Sequence, residues 1–196
     1  MIRHLTRTRW YPSSPLHSCQ WPASTLRSPA RILFDAMVVI RCTQKMLKRV
    51  GPPDREPQTS TTRLGDWPAN LVGVGRQRFV LLVADRTRLP ILLPARGLKS
   101  IRVPLVDALA HVLLSLNVAA LSVRRELAEM RDGAFAPTNN RSVLGTMNDF
   151  SNATWCRYHD EPDADPLAVS LWLAETPMQP FRGKAADQLT RELFEQ

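Results

Sequence analysis

The chain has 196 residues, 44% of them hydrophobic, which suffices for one buried core within the ~100–200 residues usual for a single domain. Its three cysteines, Cys19, Cys42 and Cys156, are odd in number and lack paired spacing, excluding a disulfide framework and a zinc ribbon and favouring a reducing cytoplasm. The formal net charge is +8, and the most apolar stretch, Leu105 to Leu121, is broken by Asp107, His111 and Asn117, so no membrane-spanning helix and no membrane contact are expected.

Residues 1–36 carry five arginines against one aspartate, with four prolines, no lysine and no periodic apolar pattern. They lack the apolar run of a secretory signal, and Pro12, Pro15, Pro22 and Pro29 break the amphipathic helix that a transit peptide needs. The expectation is a non-native or disordered extension, with translation starting at Met37 and a single domain over residues 37–196.

From Met37 the pattern is regular. Val38, Val39 and Ile40 form a β-branched run, and Thr43 caps a two-turn helix carrying Met46, Leu47 and Val50 that stops at Gly51-Pro52. After a polar, proline-rich loop over 52–63, strands are predicted near 70–75, 78–84 and 89–94, with turns at Arg76-Gln77 and at residues 85–88. Pro90 and Pro94 cannot donate ladder hydrogen bonds, so the third strand belongs at an edge.

Pro104 opens a core helix with Leu105, Leu109, Val112, Leu113 and Leu116 on one arc. A second helical segment turns Val123, Leu127 and Met130 inward, and a short extended piece, Ala134 to Pro137, leads to a helix from about Ser142 to Tyr158. Asp165 and Pro166 open another helix, and Ala186, Leu189 and Leu193 mark a terminal one. The sum is an α+β domain, a mainly antiparallel meander sheet with helices packed on one face.

Four segments carry a family resemblance: Thr138 to Phe150, Arg41 to Lys45, Leu64 to Asn70, and Asp165 to Pro177. Together they resemble an uncharacterised bacterial domain family, labelled only as a domain of unknown function, over nearly everything after Met37. The resemblance implies a fold-sized unit and a bacterial origin. It implies no reaction.

The first of these segments also holds the candidate site. Val143, Leu144, Met147 and Phe150 share one arc of the predicted helix, whereas Arg141, Gly145, Asn148 and Asp149 collect opposite, with Asn139, Asn140 and Ser142 at or before its start. A helix N-terminus, a bidentate arginine and a glycine can receive a carboxylate or phosphate. Equally, Ser142 can be a cap, Arg141 can pair with Asp149, and Gly145 can admit a packed neighbour.

Three other groupings read as ordinary surface or core. Asp107, His111 and Ser115 hold the residue types of a hydrolase triad, but one helix supplies no oxyanion hole. Cys156 and His159 are at best half a metal site, so no metal and no cofactor is assigned. Cys42, just before a helix N-cap, is either an activated thiolate or a small buried hydrophobe.

Arg76 and Arg78 stand at one end of the meander, which can also gather Arg96, Lys99 and Arg102 into a cationic end. Aromatic partners are scarce nearby in the sequence, which argues against a single-strand platform. The leading expectation is a non-enzymatic cytoplasmic binding or interaction module using the Asn139–Asp149 face, with an unknown protein or small anionic ligand as partner. An enzyme for a phosphorylated or nucleotide-like substrate is the alternative, and nucleic-acid binding at the cationic end is a weaker one.

Overall fold

A computed structural model describes residues 36–53, 59–138, 140–177, 181 and 183–196, so the extension expected over 1–36 lies outside the described residues except for Ala36. Val38, Val39 and Ile40 are all buried, and a strand that is apolar on both faces belongs inside a sheet. That strand, β1 (Met37–Cys42), is flanked by β2 (Trp67–Val74) and β5 (Asp132–Pro137), with β3 (Gln77–Val83) and β4 (Pro90–Pro94) beyond β2, giving the order β4-β3-β2-β1-β5. The meander β2-β3-β4 is antiparallel as expected. β1, however, runs parallel to both neighbours. The class is α+β, and the expected mainly antiparallel sheet is corrected to a mixed one. Parallel pairing needs long crossovers, and these bring residues 132–137, a weak strand signal with Gly133 and Pro137, onto β1 from far along the chain.

Six α-helices occur among the described residues: α1 (Gln44–Val50), α2 (Arg102–Ser115), α3 (Ala120–Ala128), α4 (Arg141–Asp160), α5 (Pro166–Ala174) and α6 (Ala186–Glu195). They do not keep to one face of the sheet. The α4 residue Tyr158 stacks on Phe79 of β3, with ring centroids 4.6 Å apart. On β5, Gly133 lies under the Arg102 side chain of α2. The ladder registers put Gly133 with Val38 and thence with Trp67, Ala69 and Leu82, on the face opposite Phe79. The expectation of helices on one face is therefore corrected, because the apolar surface of β1 to β3 on both sides needs cover.

The β4 edge shows how the sheet ends. Ala95 N–H donates to Arg78 O, so the N–H groups of residues 90, 92 and 94 point away from β3. Pro90 and Pro94 have no N–H, which leaves only Leu92. Its N–H donates to the Ser170 hydroxyl of α5 (2.8 Å), and that hydroxyl donates to Pro166 O (2.8 Å). One buried serine completes an edge that two prolines have already simplified. Ser170→Ala should destabilise the domain by about 1–3 kcal/mol by orphaning the Leu92 N–H, whereas the exposed Ser115→Ala should stay within about 0.5 kcal/mol of the parent. Urea titrations of the two variants check this, and equal midpoints would remove the role given to Ser170.

Candidate functional site

The helix carrying the candidate residues begins at Arg141, and its cap is Asn140, not the Ser142 expected. The Asn140 side-chain oxygen accepts from Ser142 N–H (3.1 Å) and Val143 N–H (3.3 Å), while its Nδ2 donates to Asp85 Oδ1 (2.9 Å) in the β3–β4 turn. Two N–H groups that an incoming anion would use are thus already occupied. The same turn holds Arg88, which the sequence marks only as part of the turn at residues 85–88. It is only 6% exposed and adopts φ 61°, a left-handed conformation uncommon outside glycine. Its guanidinium donates to the Asp85 carbonyl and carboxylate and approaches Ser142 Oγ (3.5 Å), and it lies 5.5 Å from the Phe181 ring centroid. Burial lowers the Arg88 pKa from its ordinary value, and the Asp85 carboxylate pulls it back up.

Along α4, Val143, Met147 and Phe150 are buried as the helical spacing requires, and Leu144 is half-buried. Arg141, Gly145, Asn148 and Asp149 are exposed on the other side, next to the exposed cap neighbour Ser142. A Cβ added at Gly145 would meet nothing within 4 Å among the described residues. No packing neighbour of Gly145 is found among the described residues. No Arg141–Asp149 ion pair is found among the described residues. Asn139, also a candidate, lies outside the described residues.

The other groupings resolve differently. Asp107, His111 and Ser115 all lie on the exposed side of α2. His159 stacks against Trp155, Cys156 is exposed, and Asp165 accepts from Ala168 N–H as the expected cap of α5. The cationic end forms only in part. Arg76, Arg78 and Arg96 line one hollow of about 460 Å³, but Lys99 and Arg102 line another beside Ile40, Gly133 and Phe135. Arg102 is held there by donating to Met130 O (3.0 Å). Two cations that the sequence left out of the group, Lys45 and Arg49 of α1, join Arg78 in a further hollow of about 460 Å³.

All four segments singled out in the sequence fall within the span of a family model. The model of a domain of unknown function (DUF6933) matches residues 39–187. The chain belongs to this family. No curated protein matches it. In this DUF6933 chain the segments also meet in space: Arg41 pairs with Asp66, and Thr43 Oγ1 donates to Asn70 Oδ1 (3.0 Å). No helix among the described residues is long and apolar enough to cross a membrane.

The thiolate reading of Cys42 is corrected by the same packing. Cys42 is buried between β2 and β5, and burial pushes its thiol up to about 12. The nearby helix start cannot offset that loss of hydration. Cys156 is exposed on α4. Iodoacetamide applied to the native protein at pH 8 should alkylate Cys156 and spare Cys42, which becomes reactive only on denaturation. Peptide mass mapping reads this out, and native labelling of Cys42 would contradict the burial argument.

Proposed function

We propose that this DUF6933 domain is a binding module that receives a partner protein on the α4 face formed by Arg141, Gly145, Asn148 and Asp149. The open space over Gly145 carries the reading. Glycine inside a helix costs roughly 0.5–1 kcal/mol relative to alanine, and no element among the described residues fills the space that its missing side chain leaves. What benefits from the gap is something that arrives from outside and brings its backbone close to the helix. Arg141, Asn148 and Asp149 surround the gap with donors and acceptors of both kinds, suited to a hydrogen-bonded contact. Asn140 and Ser142 support the face from below by tying the helix start to Asp85 and Arg88. Because Asn140 already satisfies the Ser142 and Val143 N–H groups, a small anion finds less to bind here than a partner surface does.

Gly145→Ala should stabilise the domain by about 0.5–1 kcal/mol, since the methyl enters open space and alanine favours the helix. The same variant, and Arg141→Ala, should weaken the partner complex at least tenfold. A photo-crosslinker at position 148 identifies the partner in native cells, and titration of the purified partner measures the loss. Parent-like affinity in both variants, or a destabilised Gly145→Ala, would end this reading. Saturable binding of inorganic phosphate that Arg141→Ala abolishes would replace it with the anion-site alternative.

A further inference from the structure

Trp155 leaves half of its surface in solvent (51%) and stacks on His159, one turn further along α4, with ring centroids 5.3 Å apart and planes 8° from parallel. The pair lines a hollow of about 490 Å³ with Tyr158, Arg76 and Gln77. Tyr158 is 4% exposed, and its hydroxyl has no hydrogen-bond partner among the described residues. Arg76 of the β2–β3 turn and Gln77 at the start of β3 also line the next hollow, together with Arg78 and Arg96. Arg78 and Ala95 in turn line the third, together with Lys45 and Arg49. The three hollows are thus neighbours that share lining residues, with an aromatic stack at one end and five cations along the rest.

None of these five cations has an ion-pair partner among the described residues. Arg78 is placed by its cross-strand neighbour. It faces Gly73 in register, and a Cβ at Gly73 would come within 2.8 Å of Arg78 Nη1. The guanidinium therefore lies across the glycine while donating to Gly75 O (3.0 Å) and Gln77 O (3.1 Å). Asp160, Glu161 and Asp163 follow directly after the aromatic pair in the sequence. Phosphates consequently favour the arginine end, and a base favours the stack.

The path also turns a corner. Its aromatic hollow lies on the Phe79 and Tyr158 side of the sheet, and its Lys45 and Arg49 hollow on the opposite side, with Leu71, Gly73 and Arg78. A flat membrane cannot touch both sides of one hairpin, and a duplex with a persistence length of about 150 base pairs does not wrap it. A flexible polyanion with stacking bases does both. We infer that the end of the β2–β3 hairpin binds single-stranded nucleic acid, with a base on the Trp155–His159 stack and the backbone along Arg76, Arg96, Arg78, Lys45 and Arg49. This site does not depend on the Gly145 face.

Fluorescence anisotropy with a labelled oligo-dT of about 12 nucleotides at low salt tests this on the full chain. Trp155→Ala should weaken binding about tenfold, and Arg76→Ala with Arg96→Ala at least tenfold. The double arginine variant should also flatten the salt dependence by about 0.7 of a log–log unit for each phosphate that it no longer neutralises. Lys45→Ala, at an exposed helix position, gives a second reading if the arginine variant folds poorly. An abasic oligonucleotide should bind like the Trp155→Ala complex and show no further loss with that variant. No binding at low salt, equal affinity for duplex DNA, equal affinity for inorganic polyphosphate, or an unaffected Trp155→Ala would each overturn the proposal.

Discussion

A buried guanidinium sets the constraint on which the candidate face depends. Removing a cation from water costs several kcal/mol unless the surroundings return charge and hydrogen bonds. Around Arg88 that return comes from Asp85, with Ser142 and the face of Phe181 on its other sides. The left-handed backbone at Arg88, worth roughly 1–2 kcal/mol against it, persists because the paired side chain is held in place. Asp85 then serves twice, accepting from Arg88 and from Asn140. The start of α4 is thereby fixed to the β3–β4 turn, and the exposed side chains one and two turns on stand on a rigid support.

A second clamp holds the centre of the sheet. Asp66 is nearly buried, accepts from Ser60 N–H (2.9 Å) and Ser60 Oγ (2.8 Å), and pairs with Arg41 of β1. The Ser60 hydroxyl takes the Val39 N–H (2.8 Å), and Thr61 N–H donates to Met37 O (3.0 Å). The chain before β2 thus satisfies the part of β1 that β2, first paired at Ile40, does not reach. On the far side, Glu126 of α3 accepts from Arg63 N–H (2.9 Å) and Leu64 N–H (3.0 Å). Burial pushes its carboxyl above the usual range, and those two N–H groups pull it back down. The residues that made segments 41–45 and 64–70 distinctive in the sequence are these clamps.

Local signals were readable because they act over a few residues. The apolar arcs of α2 and α4, the Asp165–Pro166 start of α5 and the edge prolines of β4 all occur where periodicity and proline chemistry place them. α2 begins at Arg102, two residues before Pro104, which costs nothing because the first turn needs no proline N–H. What escaped depends on partners distant in the chain. Nothing local in Asp132–Pro137 shows that β1 will pair with it, and nothing local in Glu126 shows that two loop N–H groups will receive it in the core. Arg88 reads as a turn cation in the sequence because its surroundings include Ser142 and Phe181 on distant parts of the chain. The arginine at the β2–β3 turn lacks aromatic company in the sequence for the same reason, since Trp155 and His159 reach Arg76 only through the packing of α4.

That packing ties the two candidate surfaces together. Val143, Met147, Phe150, Thr154 and Tyr158 form one buried stripe along α4, at steps of four, three, four and four residues. The stripe fixes the rotation of the whole helix, so the same contacts that turn Gly145 outward near its start turn Trp155 outward further along. The two positions are about 15 Å apart along the axis and about 80° apart around it. The two surfaces therefore share no residue. Both depend on Phe79 against Tyr158 and on Asn140 against Asp85, contacts at opposite ends of the helix with different chemistry. Weakening the polar anchor loosens the Gly145 end first, and weakening the aromatic one loosens the Trp155 end first, so each surface can be perturbed while the other reports that the helix is still docked.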